Sequence, residues 1–179
     1  MGLEIERRFL VKGESWKSLV KSTQYLKQGY LNSGMEEWVL RVRIVNSKES
    51  FFTLKSSING ISNHEFEYQI PIEDGKSLLN LAKNKVTKYR HSIEFGKKLW
   101  IVDSFLGNNQ DLIIAEIELN SENESITIPS WCKDEITGEK SLSNSELAKT
   151  PISIWPLKNR LNKKKSEKRA RNPLDSFYI

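Results

Sequence analysis

A single cysteine, Cys132, excludes a disulfide within the chain and argues against a cysteine-based zinc centre. The role expected of it is that of a small buried hydrophobe. No stretch approaches the roughly 20 apolar residues of a membrane-spanning helix, and no early apolar run resembles a secretory leader. A soluble protein in a reducing, cytoplasmic setting is the default expectation. The short motifs of common nucleotide and peptide enzymes are also missing: no Walker loop, no dinucleotide-binding glycine fingerprint, no His-Glu-x-x-His helix.

Charge is plentiful but uneven. The 179 residues carry a net charge of +5, which by itself points toward a polyanion partner. Residues 158–171, however, hold eight basic side chains and one acid, so the remainder of the chain is −2. The basic segment reads as a solvated tail, a helix extension or disordered, and nucleic acid is disfavoured as a partner. Five Trp, seven Phe and five Tyr supply enough bulk for one core. One domain over residues 2–156 followed by a tail over 157–179 is the expected organisation.

Strand-like runs appear at residues 3–11, 25–31, 37–45, 50–56, 63–71, 86–95, 98–105 and 112–120, with turn residues such as Asn59-Gly60 and Gly107-Asn108-Asn109 between them. Short helices are expected over 14–22, over 72–84, and from Ser143 or Asn144 onward, where a capping residue precedes Glu146, Leu147 and Ala148. About eight mostly successive strands with short turns favour an antiparallel sheet, curled or closed, over a parallel βαβ fold.

Side chains two apart on a strand share a face. On that rule Glu4, Glu6 and Arg8 lie together, as do Arg41 with Arg43, Thr53 with Lys55, Glu65 with Glu67, Lys88 with Arg90, and Glu116 with Glu118. Asp103 joins them from the strand that begins near Trp100. The alternate faces are apolar: Leu40, Val42 and Ile44 beside the arginines, Ala115, Ile117 and Leu119 beside the last glutamates. A half-exposed sheet would explain one such pair. Like charges on five of these six strands repel along the strand and need partners across the sheet. A closed sheet with these faces inward makes a polar tunnel. Carboxylates in it suit a hard cation such as Mg²⁺ or Mn²⁺, and its arginines and lysines suit phosphate oxygens. His64 and His91 fall on the opposite phase and read as surface or packing residues.

The ordered set of motifs resembles one known family. Glu4-Ile5-Glu6-Arg7-Arg8 is similar to the ExExK signature of the CYTH superfamily, the triphosphate tunnel metalloenzymes. Gln28-Gly29-Tyr30-Leu31, Leu40-Arg41-Val42-Arg43, Thr53-Leu54-Lys55, Glu65-Phe66-Glu67, Thr87-Lys88-Tyr89-Arg90, Asp103 and Ala115-Glu116-Ile117-Glu118-Leu119 follow in family order. Ile136-Thr137-Gly138 and Ser143-Asn144 resemble the lead into a C-terminal helix near the tunnel end. Two places depart from the pattern: Arg8 replaces the signature lysine, and Glu139-Lys140-Ser141-Leu142 stands where relatives carry an acid, an arginine and a tyrosine.

The resemblance implies an α+β chain built on a closed eight-stranded antiparallel β-barrel with a few short flanking helices. It also implies metal-dependent hydrolysis of a triphosphate, with inorganic triphosphate as the leading substrate. Glu4, Glu6, Glu116 and Glu118 are then expected at the metal with Asp103 assisting. Arg8, Arg41, Arg43, Lys55, Lys88 and Arg90 are expected at the phosphates, and Glu65 and Glu67 at a second metal or orienting the clamps. Lys88, with Tyr30 nearby, is one candidate base for the attacking water; a second metal is the other. The competing functions are an organic triphosphate enzyme (thiamine triphosphatase, nucleoside triphosphatase or class IV adenylate cyclase) and a non-catalytic polyphosphate-binding module. Either a monomer or a homodimer is compatible with these expectations.

Overall fold

The computed structural model describes residues 2–31 and 38–156. The expected tail lies outside the described residues, as does the first residue of the strand expected from 37. Among the described residues there are nine strands: β1 Gly2–Val11, β2 Val20–Leu31, β3 Val39–Val45, β4 Glu49–Ser57, β5 Ser62–Ile70, β6 Asn84–Phe95, β7 Lys98–Phe105, β8 Ile113–Glu118 and β9 Cys132–Glu135. Two α-helices, α1 Ile72–Leu81 and α2 Asn144–Lys149, flank them.

The strands run in the order β5-β4-β3-β2-β6-β7-β8-β1-β9, every described pairing is antiparallel, and a further β5–β1 pairing closes the ring. Eight strands therefore form a closed barrel with β9 as an addition. Closure is carried by β1, which splits its partners. Residues Gly2 to Ile5 pair with β5, and Glu6 to Leu10 pair with β8. Beyond β5 the freed edge of β1 takes up β9, at Phe9 and Val11. A two-pronged Arg7–Glu135 ion pair, with bonds of 2.8 and 2.6 Å, ties that addition down.

Two expectations fail locally. The helix expected over 14–22 is a single 3-10 turn, Lys17–Leu19, and β2 begins at Val20. Ser22, Thr23 and Gln24 are drawn into the ladder opposite Ser92, His91 and Arg90, so pairing with a twelve-residue neighbour overrides the short apolar period. Trp16 is nevertheless buried, as the apolar reading required. The strand β9 was not foreseen. Its sequence Cys-Lys-Asp-Glu has little strand character, and it exists because β1 leaves an edge for it.

The apolar residues form two bodies. One lies outside the barrel wall, where Ile5, Phe9, Ile93, Trp100, Val102, Ala115 and Ile117 are covered by Trp16, Trp131 and Cys132. Phe9 and Trp131 both pack on the Trp100 ring, at centroid distances of 5.8 and 5.6 Å. His91 packs on Trp16 on this outer side, and His64 is exposed. The second body plugs one end of the lumen. Val86, Phe105 and Ile114 stand two residues from Lys88, Asp103 and Glu116 on the same faces, and with Tyr30 they meet Leu142 and Leu147. Ser143 caps α2 by accepting from the Glu146 N–H (3.2 Å).

Helix α1 lies against β2, β3 and β4 on the outside. Its approach depends on Gly29, where an added Cβ would stand 2.7 Å from Ala82 Cβ and 2.9 Å from Leu79 Cδ1. Gly29→Ala is expected to cost about 1–3 kcal/mol by overpacking. Thermal unfolding followed by circular dichroism should show a lower midpoint. An unchanged midpoint would mean that α1 can shift freely on the barrel.

Candidate active site

Strand register brings the charged faces together. Arg8 lies opposite Glu116, and Glu6 opposite Glu118. Arg41 faces Thr53, which faces Glu67, and Lys55 faces Glu65. Arg90 faces Asp103. Arg8, Lys55 and Arg90 thus each meet opposite charge directly across the ladder, whereas Glu6 stands opposite a second acid, Glu118, and draws on the Lys55 ammonium instead.

Near the plugged end, Asp103 is fully buried. Its Oδ2 accepts from Lys88 Nζ (2.5 Å) and Arg90 Nη2 (2.7 Å), and its Oδ1 from Arg90 Nε (2.8 Å). Arg90 continues to Glu116 (3.0 Å), and Arg8 Nε reaches the other Glu116 oxygen (3.2 Å). Arg8 Nη2 also donates to the Leu142 carbonyl (2.9 Å), and Lys88 Nζ donates to Asn144 Oδ1 (2.9 Å). The segment around α2 is therefore bonded directly to two of the lumen cations. Burial opposes ionisation of Asp103, but Arg90 and Lys88 hold it well below the usual carboxylate range. Burial pulls Lys88 down to about 8, against the pull of Asp103.

Elsewhere in the lumen, Arg41 Nη2 donates to Thr53, Glu65 (3.1 Å) and Glu67 (3.0 Å), and Arg43 Nη2 donates to Glu67 (2.5 Å). Burial and the neighbouring Arg41 lower Arg43 to about 10. Lys55 is surrounded by acids. Its ammonium contacts Glu4, Glu6 (3.4 Å) and Glu65 (3.1 Å). Burial and the charge of Glu6 push Glu4 up to about 8, and burial with Glu116 raises Glu6. Burial works against the Lys55 charge, yet Glu6, Glu4 and Glu65 hold its pKa above the usual value.

Those raised carboxylates bear on a metal. Among the described residues no three His, Cys, Asp or Glu side chains are already grouped as ligands around one point. The chemistry of the donor set nevertheless fits a hard cation. Glu4, Glu6 and Glu65 share the Lys55 ammonium, and Glu65 Oε2 is buried without a hydrogen bond despite lying 3.1 Å from it. Carboxylates this crowded favour additional positive charge, and oxygen donors suit a divalent cation of the Mg²⁺ type.

All six expected cations and the acids Glu4, Glu6, Glu65, Glu67, Asp103 and Glu116 fall within this network. Glu118 is exposed, opposite Glu6. Asp103, expected to assist a metal, has both oxygens committed to Lys88 and Arg90. The Tyr30 hydroxyl donates to Gln28 Oε1 (3.2 Å) rather than to Lys88, and burial raises its pKa, which keeps it protonated and unable to take a proton from water. Asn144 and Gln28 were not foreseen as site residues. Gln28 could have been found, since it stands two before Tyr30 on one strand; nothing local to Asn144 marks its contact with Lys88.

Known proteins share this architecture. An inorganic triphosphatase from Acetivibrio thermocellus is 41% identical over 153 residues, covering 84% of this chain and 96% of that protein. The solved structure of the inorganic triphosphatase NE1496 is 32% identical with a TM-score of 0.57, covering 81% of this chain and 93% of that one. A protein from Pyrococcus furiosus, 19% identical with a TM-score of 0.54, shares the fold over 67% of this chain and 80% of its own. The CYTH domain matches residues 2–153, and with that span of barrel and lumen accounted for, the chain belongs to the CYTH domain family.

Proposed function

We propose that the protein is a divalent-metal-dependent triphosphatase that hydrolyses inorganic triphosphate to pyrophosphate and orthophosphate. The observation that carries this reading is the lumen. Six cations from β1, β3, β4 and β6 face one another inside a closed barrel, each in an ion pair with a carboxylate. A phosphate chain can take over those ion pairs without a pocket for any organic group. The activity named for the Acetivibrio thermocellus relative supports the same substrate.

Glu4, Glu6, Glu116 and Glu118 would hold Mg²⁺ or Mn²⁺, with Glu65 and Glu67 available for a second ion or for orienting Arg41 and Arg43. When bound, such a metal neutralises phosphoryl charge and makes coordinated water more acidic. Arg8, Arg41, Arg43, Lys55 and Arg90 grip non-bridging oxygens and offset the charge that develops as the terminal P–O bridge breaks. Lys88 is the candidate base. In its neutral form Nζ takes a proton from water as the water oxygen bonds to the terminal phosphorus, and pyrophosphate departs. Asp103 and Asn144 hold that nitrogen in place. Asp103 accordingly anchors two cations, and it could assist the metal only by releasing one of them, as Glu116 would have to release Arg8 or Arg90.

A small-molecule partner and a cytoplasmic setting accompany this reading. No described helix is long and apolar enough to cross a membrane. The test is release of phosphate and pyrophosphate from tripolyphosphate, ATP and thiamine triphosphate, each with Mg²⁺ or Mn²⁺ and with chelator. Orthophosphate release from tripolyphosphate, at least about tenfold faster in kcat/KM than from either organic substrate and abolished by chelator, is the expected result. Preference for an organic triphosphate would transfer the assignment to it. Binding of all three without turnover would leave a binding module.

A further inference from the structure

Gln28 faces the lumen from β2, on the side opposite Gly29, which faces α1. It is 1% exposed, among the most deeply buried polar side chains of the barrel. Its Oε1 accepts the Tyr30 hydroxyl, but its Nε2 has no hydrogen-bond partner. Directly across the ladder stands Arg43, whose Nη2 is taken by Glu67 and whose Nε is likewise unpartnered. Two buried N–H donors thus lie side by side in register with nothing to donate to, on the face that carries Arg41. A buried donor left unmade destabilises a fold, and a side chain of similar volume without the amide would avoid that loss. The pair makes sense as a receptor for oxygen. One of the two donors is charged, so an anionic oxygen is the better fit.

We propose that Gln28 Nε2 and Arg43 Nε donate together to non-bridging oxygens of one phosphoryl group of the bound triphosphate, so that Gln28 is a substrate-binding residue. The proposal rests on the triphosphatase reading. The neutral amide has a reason. Burial and Arg41 already pull Arg43 down to about 10, and a further cation opposite it would add to that repulsion. Gln28 supplies a directed hydrogen bond at a position where more charge would be self-defeating.

The full-length protein and two variants test this. Gln28→Met removes the donor at similar volume. Gln28→Glu keeps an acceptor for Tyr30 and sets a carboxylate where the donor stood. Tripolyphosphate affinity is read in metal-free buffer from the rise in unfolding temperature, and kcat and KM are read with metal. Relative to wild type, Gln28→Met should weaken binding roughly tenfold and Gln28→Glu roughly a hundredfold, the range for a hydrogen bond to a charged group. The free Gln28→Met protein loses the unpaired Nε2 but also the acceptor of the Tyr30 hydroxyl, so the deciding readout is the loss of tripolyphosphate affinity in both variants, which a merely structural amide would not produce. Wild-type affinity in both variants, with or without a loss of free-protein stability, overturns the proposal and leaves the triphosphatase reading standing. If wild type itself neither binds nor hydrolyses tripolyphosphate, both readings fall.

Discussion

Replacing Lys88 with Met should lower kcat for tripolyphosphate by about 10²–10⁴-fold, the contribution typical of a positioned general base. Metal affinity should stay close to wild type, whereas Glu4→Gln should weaken it. The fold should survive the Lys88 change, because Met keeps packing beside Phe105, whose ring centroid lies 5.2 Å from the ammonium, and Asp103 keeps both bonds from Arg90. The pH profile carries the sharper reading. A base works only when neutral, so the wild-type rate should rise as pH climbs through about 8, where burial has brought Lys88. That rising limb should be absent in Lys88→Met. Turnover retained within a few-fold of wild type, or a rising limb that persists, would remove the lysine from the proton transfer and leave water activation to metal alone.

How much of this site could be read before any coordinates follows from what is local in a strand. Alternation is local, so Arg41 with Arg43, Glu65 with Glu67 and Lys88 with Arg90 could each be put on one face from spacing alone, and their mutual repulsion demanded partners on other strands. Which partner each takes is not local. Asp103 looked like one more carboxylate for a metal. Only the register that sets it opposite Arg90, and two positions along the ladder from Lys88, shows both its oxygens in use. Gln28 stood inside a recognisable motif, but its isolation as a donor depends on Arg43 across the ladder. Asn144 is remote in sequence from Lys88 and meets it because α2 docks Leu147 into the plugged end of the barrel. The fold errors have the same origin. Residues 20–22, the end of the helix expected over 14–22, carry a weak helical period that an available partner strand overrules, and β9 is made a strand by the open edge of β1.

Asp103→Ala should destabilise the protein by about 3–5 kcal/mol, the usual consequence of removing one member of a buried ion pair and stranding the other. For a chain of this size that is a fall in unfolding temperature on the order of 10 °C. Two cations lose their shared partner; Arg90 keeps Glu116, while Lys88 keeps only the neutral Asn144 oxygen and the Phe105 ring. The pH dependence has a definite sign on each side. The folded-state pKa of Asp103 is depressed, so its contribution is fully present above the unfolded value of about 3.9 and is lost only as pH falls through the lower folded value. The gap between wild type and variant should therefore close only in strong acid. On the alkaline side the variant's Lys88, buried without its carboxylate, has a folded pKa below wild type. Between that value and about 8, where wild-type Lys88 titrates, only the variant gains stability as pH rises and the gap narrows; above about 8 both proteins gain alike. The deficit should be widest between about pH 4 and pH 7, and any residual turnover should have its rising limb moved to lower pH. Chemical denaturation across pH, paired with a pH–rate profile, reads both effects. A stability deficit below about 1 kcal/mol, or one that does not change with pH, would show that Asp103 does not hold the charge of Lys88, and the anchoring role would have to be given up.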